Sequence, residues 1–78
     1  MNGLRVYVIA ELKVPGKNPG AFYSRRDNGP FYRWTMGEQH WSVSRVSVSS
    51  LSVKNLSAMS WKSVPTTLQK SIIEHYQD

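Results

Sequence analysis

The side chains able to do acid–base or ligand chemistry are few: His40, His75, Glu11, Asp27, Glu38, Glu74 and Asp78. Glu74 and His75 are neighbours on an expected helix, so they point about 100° apart and do not face each other. His75, near the end of that helix, suits the role of complementing the helix dipole. Glu38 and His40 are two apart and could share a strand face, but a zinc site needs three or four ligands. Nine serines between residues 42 and 63 offer hydroxyls without an adjacent base. No Gly-x-Ser-x-Gly elbow and no Gly-rich phosphate loop occurs. These residues predict neither an enzyme nor a metal or cofactor site.

Binding chemistry is better supplied. Phe22, Tyr23, Phe31, Tyr32, Trp34 and Trp41 are six of the nine aromatics, and Arg25, Arg26 and Arg33 lie among them. Aromatic and arginine side chains are enriched in protein–protein hot spots and in surfaces that stack bases and contact phosphates. The same residues could also be a covered core face plus ordinary cation–π pairs.

Ten Lys/Arg against five Asp/Glu give a net charge of +5. The excess is spread out, with six basic and three acidic residues in 1–39 and four against two in 40–78. This favours an acidic protein surface, nucleic acid or anionic lipid without selecting one. For nucleic acid, no RNP-like strand, Gly-x-x-Gly loop or helix-turn-helix pattern is found. The chain has no cysteine, which excludes disulfides and thiolate metal sites and suits a reducing compartment. The apolar residues 4–10 run directly into Glu11 and Lys13, so no signal peptide is read. No apolar run reaches the roughly 20 residues of a membrane helix, so membrane insertion is not expected. The expected location is cytoplasmic.

Seventy-eight residues, 40% of them hydrophobic, predict one small folded domain spanning 1–78. Val6, Val8, Ala10, Leu12 and Val14 alternate with Arg5, Tyr7, Ile9, Glu11 and Lys13, predicting a strand over 4–14. Tyr7 and Ile9 suggest that its first half is covered on both sides. Two prolines and two glycines in 15–20 predict a loop. Strands over 21–26 and 31–36 should be joined at Asp27-Asn28-Gly29-Pro30. Pro30 lacks the N–H that would close a two-residue turn, so a slightly longer loop is expected.

Alternation places Tyr32, Trp34 and Met36 toward the core and Phe31, Arg33 and Thr35 outward. The uncertain loop leaves the strand 21–26 two options. It adds either Phe22, Ser24 and Arg26 or Tyr23 and Arg25 to the outer face.

After a turn at Gly37-Glu38-Gln39, residues 40–48 predict a fourth strand. Trp41 and Val43 differ in parity from Val46 and Val48, which a bulge near Ser44-Arg45 would reconcile. The serine-rich stretch should be extended or made of short turns, with a short helix over 51–59 as an option using Leu51, Leu56 and Met59. Leu68, Ile72 and Tyr76, widened by Ile73, predict a C-terminal helix. Ser63 is its expected cap, Pro65 its first-turn residue, and Trp61 and Val64 its staple-like contact. That apolar stripe suits burial on the sheet better than a partner helix or a membrane surface.

The expected fold is therefore α+β: a small antiparallel meander of three to four strands with one amphipathic helix packed on it. A curled, SH3-like barrel is the alternative. The expected function is a non-enzymatic basic binding protein, an accessory or regulatory subunit of a larger, acidic protein partner. Its surface would comprise Phe31, Arg33, Phe22, Tyr23, Arg25 and Arg26. RNA or single-stranded DNA binding through the same face is the second expectation.

Overall fold

The alternation in the first half of the chain becomes a single antiparallel sheet. A computed structural model describes residues 3–9, 21–47 and 56–77. Its strands are β1 (Leu4–Ile9), β2 (Phe22–Arg26), β3 (Phe31–Met36), β4 (Trp41–Val46) and β5 (Leu56–Met59). A 3-10 turn (Trp61–Ser63) leads into the helix α1 (Thr66–Tyr76). The strand order is β4-β3-β2-β1-β5, and each neighbouring pair is antiparallel. The α+β expectation holds, with five strands instead of three or four and a sheet that is not closed, so the SH3-like alternative is set aside.

The hairpin loop solves the proline problem locally. The N–H of Gly29, not of residue 30, donates to the Arg26 carbonyl at 2.9 Å. Positive φ falls on Asp27 (54°), a residue type that tolerates this region. The Asp27 N–H donates to the Gly3 carbonyl at 2.8 Å, tying the loop to the start of β1. Gly3 has φ 75°, and a Cβ there would stand 1.9 Å from Asp27 Oδ1. Only glycine meets both demands.

Between β3 and β4 the register runs without interruption from Phe31↔Val46 to Met36↔Trp41. The bulge expected near Ser44-Arg45 is not formed. The two parities of apolar residues instead serve two faces: Trp41 and Val43 stand on the helix side and Val46 on the other. The turn between the strands is closed by the Gly37 N–H on the His40 carbonyl at 2.9 Å, leaving His40 exposed in the turn before β4 begins.

Leu56–Met59 form a strand against β1, with Val6 opposite Met59 and Tyr7 opposite Ala58. This corrects the optional helix over 51–59 for those residues. Residues 51–55, the expected continuation of strand 4–14 beyond Ile9, the loop at 15–20 and Val48 all lie outside the described residues.

The helix lies on one face of the sheet, where Leu68 and Ile72 are fully buried with Val6, Val8, Phe22, Trp34 and Val64. Burying each such aliphatic side chain stabilises the fold by about 1.5–3 kcal/mol before entropy is counted. Pro65 is the N-cap residue rather than a first-turn residue, with no side-chain cap bond. Its carbonyl accepts the Gln69 N–H at 2.9 Å. Ser63 lies in the preceding 3-10 turn and does not cap the helix. Val64 joins the core as expected, but Trp61 is exposed; its carbonyl accepts Gln69 Nε2 at 2.8 Å. Met36, expected in the core, is 56% exposed.

The opposite face is also apolar at its centre. Tyr23, Phe31 and Val46 are buried there, with Tyr7, Ala21 and Leu56 packed against them. The Tyr7 and Phe31 rings lie 5.9 Å apart.

Candidate binding site at the hairpin

Register decides which side chains of β2 share a face with Phe31 and Arg33. Tyr23 pairs with Arg33 and Phe22 with Trp34, so Tyr23 and Arg25 join the outer face while Phe22, Ser24 and Arg26 face the helix. This is the second of the two options left open by the loop.

The expected aromatic surface is thereby dismantled. Phe22 is buried in the core under the helix, in edge contact with Trp41 at 5.7 Å. Tyr23 and Phe31 are on the outer face but only 5% and 3% exposed. The rings that were to stack bases or anchor a partner are occupied with internal packing. What remains accessible is arginine. Arg33 is exposed, and Arg25 and Arg26 are half-buried.

Strand β1 adds a residue that hairpin composition did not suggest. Arg5 is exposed and pairs directly opposite Arg25. Arg5, Arg25 and Arg33 thus occupy one face on three adjacent strands. None of the described strands contains an Asp or Glu. The alternation of β1 carried this signal, but only the β1–β2 register shows that Arg5 meets Arg25.

Arg25 is held in place from two sides. Its Nε donates to the Gly29 carbonyl at 2.9 Å, and its guanidinium lies 4.8 Å over the Phe31 ring. With Asn28, Pro30, Arg45 and Val46 it lines a surface cleft of about 670 Å³ beside the hairpin tip.

Arg26 serves the other side. It donates to the Tyr76 carbonyl at 3.1 Å and lies 5.3 Å from the Tyr76 ring centre. A cation at a helix C-terminus complements the partial negative charge of its unpaired carbonyls. His75, also in the last turn, sets its ring edge-on to Tyr32 at 4.5 Å and Trp34 at 5.4 Å. Arg26, Pro30, Tyr32, His75 and Tyr76 surround a second cleft of about 310 Å³.

Beneath it runs a buried polar chain. Trp34 Nε1 donates to Ser24 Oγ at 2.8 Å, and Ser24 Oγ is 2.9 Å from Tyr76 Oη. Burial raises the Tyr76 pKa above 10.0, the proximity of Tyr32 adds to this, and Ser24 and Arg26 oppose it.

Among the described residues, no group of three or more His, Asp or Glu is placed to hold a metal ion, and no helix is long and apolar enough to cross a membrane. No protein-family model matches the chain, and comparison with curated proteins and with solved structures yields no match.

Proposed function

We propose that this chain is a non-enzymatic binding protein, an accessory or regulatory subunit that docks on the acidic surface of a larger protein. The docking face is the outer face of the sheet, with Arg5, Arg25 and Arg33 as its charged contacts. One observation carries the reading: Arg5 stands directly opposite Arg25, and none of the described strands contains an Asp or Glu. Like charges in that position oppose strand pairing. Carboxylates supplied by a partner would relieve the repulsion and form charge-assisted hydrogen bonds. A cytoplasmic setting belongs to the proposal, since a cysteine-free chain suits a reducing compartment.

The second reading, an RNA or single-stranded DNA binder, rests on the same three arginines as a phosphate track. Burial of Tyr23 and Phe31 weakens it, because base stacking supplies much of the affinity in such proteins. Capture from the source cell, with the wild-type chain and with the Arg5→Ala/Arg33→Ala variant, tests the leading reading. A stoichiometric acidic protein retained by the former and lost by the latter is the expected outcome. Failure to retain any such protein, with the purified chain monomeric, removes it.

A further inference from the structure

We infer that the edge strand β4 pairs with β4 of a second copy of this chain, antiparallel and centred on Val43, joining two sheets into one. Strand β4 has β3 on one side and, among the described residues, no neighbour on the other. The turn before it fixes which of its backbone groups point to that open side. The Gly37 N–H donates to the His40 carbonyl at 2.9 Å, and the register continues as Met36↔Trp41 and Thr35↔Ser42. Hydrogen-bonded and non-bonded pairs alternate along an antiparallel ladder. Ser42, Ser44 and Val46 therefore bond to β3, while the N–H and C=O groups of Trp41, Val43 and Arg45 point outward.

Natural sheet edges are blunted by lysine, proline, bulges or short length. Strand β4 runs six residues in unbroken register and contains neither lysine nor proline. Ser42, Val43, Ser44 and Arg45 are exposed in succession, and the apolar Val43 is 39% exposed. The opposite edge, β5, has only four residues, three of them half-buried, and offers a poorer template.

Self-complementarity selects the occupant. A two-fold axis through Val43, perpendicular to the sheet, sets Val43 against its own copy and each Trp41 against Arg45 of the other chain. Every outward backbone group of Trp41, Val43 and Arg45 then finds a partner, whereas any other centre leaves some of them beyond the end of the facing strand. The side chains match as well. On the helix side the two Val43 side chains cover each other, and Arg45, the only charge in β4, meets the Trp41 ring as a cation–π partner. On the outer side Ser42 faces Ser44, a hydroxyl pair that suits a cross-strand position. Centring on Arg45 instead would set like charges directly opposite, which is unfavourable. The pairing uses none of Arg5, Arg25 and Arg33, so it does not rest on the docking reading. Two chains of net charge +5 repel, so added salt should strengthen this contact while weakening an acidic docking partner.

Sedimentation equilibrium of the full chain from about 1 μM to about 1 mM, the range of small transient interfaces, tests the pairing. A reversible monomer–dimer equilibrium is expected. Hydrogen exchange at the two ends of that range should show the Val43 amide gaining more protection than the Ser42 and Ser44 amides, which β3 already holds. Val43→Glu and Val43→Lys should each weaken dimerisation by at least about tenfold, since like charges then meet at the axis. An equimolar mixture of the two variants should restore it. Val43 is exposed, so both variants should fold, and circular dichroism checks this. A chain that stays monomeric across the range overturns the inference, as does a dimer that forms equally well with either variant. A mixture that fails to restore pairing overturns the Val43-centred register. Protection of the Val43 amide only in complex with a captured protein overturns self-pairing in favour of strand addition by that partner.

Discussion

Replacing Ser24 by alanine should be among the most damaging small changes available in this chain. The Ser24 hydroxyl is fully buried and receives the Trp34 indole N–H at 2.8 Å. Trp34 is itself only 2% exposed, so water has little access to the orphaned donor. Leaving one buried donor unsatisfied costs about 1–3 kcal/mol. Tyr76 Oη loses its partner too, but that residue is half-buried and can turn to solvent. We therefore expect a loss of about 2 kcal/mol, dominated by the indole. In a domain of this size, that lowers Tm by about 8–16 °C. Urea unfolding monitored by tryptophan fluorescence gives the free energy directly.

A double-mutant cycle with Trp34→Phe isolates the cause, since phenylalanine has no N–H to strand. In that background Ser24→Ala should cost at least about 1 kcal/mol less than in the wild type. A cost below about 0.5 kcal/mol in the wild-type background, or an equal cost in both, would refute the orphaned-donor argument.

Four further outcomes follow from the same contacts. Gly3→Ala should destabilise by at least about 1–3 kcal/mol in chemical denaturation, because it forces a side chain into positive φ and onto the Asp27 carboxylate. Phe31→Ala should cost about 3–5 kcal/mol, measured the same way, since Phe31 is a buried centre of the outer face rather than a contact residue. Any loss of binding in that variant should then track unfolding. Because the folded-state pKa of Tyr76 is raised, the unfolded chain loses this proton first as pH climbs. Stability should be unaffected by this group below pH 10 and fall above it, with Tyr76→Phe flattening that part of a pH–Tm profile. Arg33→Ala, at an exposed position, should leave Tm within a few degrees of the wild type while weakening partner or polyanion binding.

Much of this architecture is legible in the residues because local and global demands agree. Val6 and Val8 alternate with Arg5 and Tyr7, and Leu68, Ile72 and Tyr76 recur every four residues, so β1 and α1 declare themselves. Pro30 made a longer hairpin connection predictable, but the register it produced depends on where positive φ falls. Asp27 adopts it because the Gly3 carbonyl, remote in sequence, holds the Asp27 N–H. Strand β5 is short and serine-bearing, and its apolar residues Leu56 and Met59 pack on opposite faces, so no apolar–polar alternation marks it. It becomes a strand through pairing with β1.

The aromatic part of the candidate surface is covered for a related reason. Phe31 and Tyr23 alternate outward as expected, but Tyr7, Val46 and Leu56 from three other strands pack around them. A two-sided apolar sheet cannot be read from one hairpin, because each strand's parity names a face without saying what will share it. The arginines survive as the accessible part because their charged ends must reach water even when their stems pack.

The claim at the centre of this account is that Arg5, Arg25 and Arg33 form a docking face for an acidic protein. Quantitative capture from the source cell with the wild-type chain and with folded Arg5→Ala/Arg33→Ala, read by mass spectrometry, tests it most directly. The account predicts a stoichiometric acidic protein with the wild-type chain, reduced at least about tenfold with the variant and weakened by added salt. Equal recovery of that protein by both chains, or no stoichiometric partner at all, would contradict it.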